Sequence, residues 1–157
     1  MRVTTRTNLA VRILMYCGAN QGRLVTREEI ADTVNASAHH IGHVVGRLSH
    51  MGLLNTVRGR AGGLELARPM DEINIGHLFR DIEGDVPLAE CFDAESNTCP
   101  LHAVCLLRKA LERAAAAFYA TLDEVVLRDL VEDNTGLEAL MCQGNTLRRA
   151  DCAMARA

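Results

Sequence analysis

The stretch Val25-Thr-Arg-Glu-Glu-Ile-Ala-Asp-Thr-Val-Asn-Ala-Ser-Ala-His-His-Ile-Gly-His-Val-Val-Gly-Arg-Leu48 decides how this chain folds. Thr26 and Glu29 stand three apart, as in a capping box. The hydroxyl accepts from the third helical N–H while the carboxylate reaches back to the cap, which predicts a short helix from Arg27 to Val34. Asn35-Ala36 makes a turn, and Ser37 is a second N-cap. The helix it opens carries Ile41, Val44, Val45 and Leu48 on one apolar face and is closed by Gly52. His39, His40, His43 and Arg47 lie elsewhere on that helix. Two short helices joined by a tight turn have the form of a helix-turn-helix.

The next segment strengthens that reading. Leu54 to Val57 and Leu64 to Leu66 read as strands around the tip Arg58-Gly59-Arg60-Ala61-Gly62-Gly63. A basic hairpin directly after a recognition helix is a wing. Its glycines let the tip approach a phosphate backbone or a minor groove, whose negative potential suits Arg58 and Arg60. The expected class is mostly α with a small β wing: a winged helix-turn-helix plus a long helix.

Working outward, Thr7 reads as the cap of a first helix carrying Leu9, Val11, Ile13, Leu14, Met15 and Tyr16 and ending near Gly18. Beyond Pro69, Ile73 to Ile82 supports a short helix with Ile75, Leu78, Phe79 and Ile82 on one face. From Gly84 to about Ala103 the pattern is lost. Leu107, Leu111, Ala114, Phe118, Leu122 and Val125 then form a continuous stripe on a helix of about twenty residues, roughly 30 Å long. Few other elements exist to cover that stripe, so a homodimer seam is the economical reading, with packing on its own domain as the alternative. The divisions expected are a DNA-binding domain over 1–83, a loop over 84–104, a dimerisation region over 105–134 and a weakly patterned, flexible tail over 135–157.

Charge follows the same division. The net charge of −3 hides a first part, residues 1–70, with nine Arg against four acids, and a remainder with eight Lys or Arg against sixteen acids. The balances are +5 and −8. A basic half joined to an acidic half suits a nucleic-acid reader coupled to a second device, whereas the average alone argues against DNA. No run of eighteen apolar residues and no apolar leader core occurs, so neither a membrane span nor secretion is indicated and a cytoplasmic location is expected. A nucleotide-binding glycine fingerprint and paired catalytic carboxylates are both missing, so the chain does not read as an enzyme.

Six cysteines, Cys17, Cys91, Cys99, Cys105, Cys142 and Cys152, are too few for a disulfide scaffold. Cys91, Cys99 and Cys105 share one loop at the spacing C-x7-C-x5-C, and such a loop can wrap three thiolates around one soft metal centre. Three ligands fall one short of the set that zinc or an iron–sulfur cluster normally takes. His102 could complete a Cys3His zinc site, although structural zinc ligands usually pair at closer intervals; three unconnected thiols are the remaining alternative. Cys17 sits within an apolar helix and reads as a small core residue. Cys142 and Cys152 read as tail thiols.

The order of these parts resembles a known family, the bacterial iron–sulfur winged-helix repressors that include the nitric-oxide sensor NsrR, the cluster-biogenesis regulator IscR and the iron regulator RirA. The resemblance lies in Met1-Arg-Val-Thr-x-x-Thr-Asn8 with Ala10-Val-Arg12, Thr56-Val-Arg-Gly-Arg-Ala-Gly-Gly63 with Leu66-Ala-Arg-Pro69, and Ile73-Asn-Ile-Gly76. It continues through Glu90-Cys-Phe-Asp93, Asn97-Thr-Cys-Pro-Leu101, Cys105-Leu-Leu-Arg-Lys-Ala-Leu111 and Leu127-x-Asp-Leu-Val131. The loop run and the closing segment look most like the nitric-oxide-sensing branch.

The resemblance implies a homodimer that represses transcription from a double-stranded DNA operator. It implies a 4Fe-4S or 2Fe-2S cluster on Cys91, Cys99 and Cys105, with nitric oxide as the signal that dismantles it and weakens DNA binding. Asn8, where relatives can supply an aspartate ligand from the first helix of the partner subunit, and Arg12, one turn on, are implied to lie near the cluster. Arg108 stands where the IscR-like proteins carry a histidine ligand, so the fourth coordination is open. A labile iron would suit iron or cluster-supply sensing of the RirA or IscR type, the alternative within the family. A zinc-stabilised regulator and a cluster-carrying redox subunit are the alternatives outside it. The DNA-binding residues expected are Ser37, His39, His40, His43 and Arg47 in the major groove and Arg58 and Arg60 at the minor groove or phosphates. Partial protonation of the histidines would make binding pH-sensitive.

Overall fold

A computed structural model describes residues 3–84 and 87–141. Seven helices and one two-stranded sheet follow the order α1 Thr5–Ala19, α2 Arg27–Val34, α3 Ala38–His50, β1 Leu54–Val57, β2 Gly63–Leu66, α4 Ile75–Glu83, α5 Leu106–Asp123, α6 Leu127–Val131 and α7 Thr135–Met141. The core lies among α1, the helix-turn-helix and the base of the wing. Ile13, Leu14, Ile30, Ile41 and Leu48 are fully enclosed there, and each such side chain contributes roughly 1.5–3 kcal/mol by leaving water.

α1 begins earlier than the sequence suggests. Thr4, not Thr7, is the cap: its hydroxyl accepts from the Thr7 N–H, and its own N–H donates to Glu83 Oε1 at 2.7 Å. Thr7 is buried one turn in, where its hydroxyl meets that of Thr4 and the Glu83 carboxylate rather than standing at a free helix end. Glu83 is pushed upward by partial burial, but hydrogen bonds from Thr7 and Thr4 and the nearby Arg6 charge outweigh this and hold its pKa below the usual carboxylate value.

The expected capping box is present, with Glu29 N donating to the Thr26 hydroxyl at 3.1 Å and Thr26 N to Glu29 Oε2 at 2.7 Å. Asn35 turns the chain with φ 52°, a left-handed conformation that asparagine tolerates, and Ser37 caps α3. β1 and β2 pair antiparallel in the register Leu54 with Leu66 and Val57 with Gly63, one residue longer at β2 than expected. Val25 adds a bridge to Leu64 on the other side. α4 starts at Ile75 because the Asn74 side chain accepts from His77 N, two residues later than the apolar pattern suggests.

After α5 the chain returns to the first domain. Ile75 N donates to Val125 O and Leu127 N to Ile73 O, and Leu127 and Val131 of α6 are buried in the core beside α1. The segment after 134, expected to be flexible, is helical up to Met141, which is itself buried with Leu137 packed nearby. The remainder of that tail, including Cys142 and Cys152, lies outside the described residues.

Candidate DNA interface and cysteine loop

The exposed face of α3 follows directly from its buried one. With Ile41, Val44, Val45 and Leu48 turned into the core, His39, His40, His43 and Arg47 are left at the surface, and Ser37 is exposed at the cap. His39 and His43, four residues apart, meet with their Nε2 atoms 3.1 Å apart. Arg47 does more than face solvent: its Nη2 donates to the Asp81 carbonyl at 2.7 Å, which ties α3 to α4.

Arg58 and Arg60 are both exposed at the wing tip. The tip depends on two glycines. Gly59 has φ 114°, and a side-chain carbon at Gly62 would lie 2.3 Å from the Val57 carbonyl oxygen.

The cysteine loop is organised by side chains rather than by apolar periodicity. Cys91 lies in a short 3-10 turn over Glu90–Phe92, and Cys105 is the N-cap of α5, its sulfur accepting from Arg108 N at 3.4 Å. Arg108 reaches back, donating from Nε to the Cys91 carbonyl at 3.2 Å, covering the Phe92 ring and pairing with Glu112. The Glu90 carboxylate accepts from both the N–H and the hydroxyl of Thr98 at 2.6 Å, which joins the Cys91 turn to Cys99. Asp93 accepts from Glu95 N and Ser96 Oγ, and Asn97 from Cys99 N. These hydrogen bonds, led by the Thr98 and Ser96 hydroxyls respectively, lower the pKa of Glu90 and Asp93. Sequence reading passed over Glu90, Asp93 and Thr98, although Asp93-Ala-Glu-Ser96 has the spacing of an Asx turn.

Cys91, Cys99 and Cys105 are free thiols, each half-buried. They are soft donors carried on turns that Arg108 and Glu90 bind together, next to the positive end of an 18-residue helix, which favours an anionic group. In donor type they suit an iron–sulfur cluster, and Cys91, Cys99 and Cys105 are the residues that would hold it. Among the described residues no group of three or more His, Cys, Asp or Glu is drawn together closely enough to hold a metal ion, and His102 does not complete one. Cys17 differs: burial pushes its thiol up to about 12, only partly opposed by the Arg23 charge, so it is an inert core residue.

Asn8 and Arg12 occupy a separate place. They line a cleft of about 420 Å³ between α1 and the α2–α3 turn, with Asn35, Ser37 and His40 among its other walls. Arg12 Nη1 donates to the Val34 carbonyl at 3.1 Å, closing the C-terminus of α2. Among the described residues neither Asn8 nor Arg12 is hydrogen-bonded to the cysteine loop.

α5 ends firmly and begins openly. Near its C-terminus Arg80 pairs with Asp123 at 2.5 and 2.6 Å, Asn74 Nδ2 donates to the Asp123 carbonyl at 2.7 Å, and Phe79 meets Phe118 at 6.0 Å. At the other end Leu101, Val104, Leu106 and Leu107 are 60%, 74%, 76% and 67% exposed, and no residue of α5 is buried. No helix among the described residues is long and apolar enough to cross a membrane.

Comparison with known proteins agrees with this architecture. The Rrf2 family, described as iron-dependent transcriptional regulators, matches residues 3–133. The regulator NsrR of Bacillus subtilis is 37% identical over 142 residues, covering 90% of this chain and 97% of its own. The repressor NsrR of Streptomyces coelicolor is 39% identical over 139 residues, covering 87% and 92%. The structure of CymR, the global cysteine regulator of B. subtilis, superposes with a TM-score of 0.65 at 25% identity over 83% of this chain and 95% of that one. A winged helix-turn-helix, a cysteine loop and an outlying helix, matched over most of the chain by such relatives, place it in the Rrf2 family of transcriptional regulators.

Proposed function

We propose that the chain is a homodimeric repressor that binds a double-stranded DNA operator through α3 and the wing and carries an iron–sulfur cluster on Cys91, Cys99 and Cys105. Nitric oxide is its signal. The observation that carries this reading is the cysteine loop itself: three free thiols on turns tied together by Arg108 and Glu90, ending at the N-cap of α5. When bound, the cluster supplies iron, in 4Fe-4S or 2Fe-2S form, as the target for nitric oxide. The similarity to NsrR proteins supports that choice of signal.

The residues of the chain then connect sulfur to DNA. Cys105 caps α5, so a change at its sulfur alters the first turn of that helix. α5 is bound to α4 by Arg80–Asp123 and Asn74, and α4 to α3 by Arg47 on the Asp81 carbonyl. The exposed Leu101, Val104, Leu106 and Leu107 supply an apolar surface for a second copy, which sets two wings and two recognition helices for paired half-sites.

The test is anaerobic purification with iron and sulfide analysis, followed by nitric oxide titration with operator binding recorded. Roughly stoichiometric cluster and loss of binding on nitrosylation support the reading; colourless, zinc-containing protein that binds DNA with or without nitric oxide contradicts it. A second reading, iron or cluster-supply sensing, is favoured by the neutral Asn8 where an aspartate ligand is expected. Retained binding after nitrosylation but loss on iron chelation would select it.

A further inference from the structure

His39 and His43 stand one turn apart on the exposed face of α3, with Nε2 atoms 3.1 Å apart and ring planes at 81°. As a hydrogen bond this contact needs one nitrogen protonated and the other bare. The separation also suits a different occupant. With metal–nitrogen bonds of ~2.0–2.1 Å, nitrogens this far apart subtend about 100° at a shared ion, between the octahedral and tetrahedral angles.

We propose that His39 and His43 form a bidentate site for one divalent late transition-metal ion, bound through the two Nε2 atoms with water completing its shell, and that occupancy blocks operator recognition by α3. The helix supplies the preorganisation: Ser37 fixes its first turn through His40 N, and Ile41, Val44 and Val45 lock the backbone between and beside the two rings into the core. The donor set selects the metal. Two imidazoles without a carboxylate or carbonyl ligand from the protein suit nickel, copper or zinc and discriminate against magnesium and calcium. The helix N-terminus and the basic half of the chain oppose a cation, so coordination bonds rather than long-range attraction must hold it. His40, one residue on, lines the cleft beside α1 and belongs to a different face.

Metal capture and its effect on DNA are separable. Capture rests on the separation of the two Nε2 atoms, whereas blocking rests on the proposed reading of α3 as the DNA-contacting helix. A bound ion would occupy both Nε2 atoms and place a hydrated dication where base edges are expected.

The experiment titrates Ni2+ into the full chain in the C91S/C99S/C105S background, so that the loop thiols take none, and follows the histidine ring signals by NMR. His39 and His43 are expected to respond together at Ni2+ concentrations at least tenfold below those that affect His50, His77 and His102. His39→Ala and His43→Ala should each weaken this uptake at least tenfold. Uniform response of all histidines, or uptake unchanged in both variants, overturns the site. Operator affinity is then measured on cluster-loaded wild-type protein and on His43→Ala, with and without Ni2+. Wild type should weaken at least fivefold and the variant should not respond to the metal. Selective uptake without any change in operator affinity overturns the blocking role while leaving the site in place. Because His43 is itself an expected DNA contact, each protein is compared with its own metal-free affinity, and failure of metal-free wild type to bind the operator would count against the reading of α3.

Discussion

Cys105 has two tasks at once, capping α5 through its sulfur and belonging to the thiol set. Serine separates them, since its hydroxyl is a good N-cap but a poor soft-metal ligand. Cys105→Ser, like Cys91→Ser and Cys99→Ser, is expected to reduce iron and sulfide in the anaerobically purified protein to near background, with helix content by circular dichroism unchanged. Cys17→Ala should keep the iron and lose about 1 kcal/mol of stability from its small cavity.

A second residue-scale prediction concerns Glu29, bonded to Thr26 N and to Arg23. Partial burial raises its pKa, but the Thr26 and Arg23 interactions outweigh this and bring it below the ordinary value. A depressed folded-state pKa stabilises the fold above the unfolded pKa, and that contribution is lost as pH falls through the folded value. Glu29→Gln should therefore destabilise the protein near pH 7, and the difference from wild type should shrink as pH drops below ~4, measured by denaturant unfolding.

At the scale of elements, the wing and the recognition helix were readable because their signals are local. Thr26, Glu29, Asn35 and Ser37 each do in the structure what their side-chain chemistry suggests, and Gly59 and Gly62 sit where a side chain is strained or excluded. The start of α1 was less legible: two threonines three residues apart can each cap, and both bond the distant Glu83, a contact no local pattern reveals. The turns of the cysteine loop lack periodicity altogether, because carboxylates binding nearby N–H groups, rather than apolar burial, hold them. That three cysteines share this loop was visible in the sequence; the part played by Glu90, Thr98 and the back-reaching Arg108 was not. α6 was lost within the expected dimerisation region and α7 in the apparent tail, because each is short and shows its apolar residues only against α1 and the core.

The wing makes its own prediction. Arg58→Ala and Arg60→Ala should each weaken operator binding and, where the arginine neutralises a phosphate, lower the slope of log affinity against log salt by about 1. Gly62→Ala, which forces the tip away from the Val57 carbonyl, should weaken operator binding while leaving cluster content unchanged.

For the molecule as a whole, the proposed function makes the basic half a reader and the acidic half a sensor, joined through α4 and α5. In the proposed dimer the exposed open end of α5 is the surface that meets a second copy. Leu106→Asp together with Leu107→Asp should convert a dimer to a monomer in sedimentation equilibrium and reduce operator affinity at least tenfold. Asp123→Asn removes the charge from the pairing with Arg80 at the α4–α5 joint. It is expected to keep the cluster but blunt the loss of operator affinity on nitrosylation several-fold.

The most direct test of the central claim couples both ends of that path in one sample. Anaerobically purified protein, with iron and sulfide quantified, is titrated with nitric oxide while its visible spectrum and operator binding are followed together. The account predicts that the cluster absorbance and operator binding fall in parallel, and that Cys91→Ser shows neither the absorbance nor a nitric oxide response. Operator binding that persists after the cluster spectrum has gone, or a full response in Cys91→Ser, would contradict it.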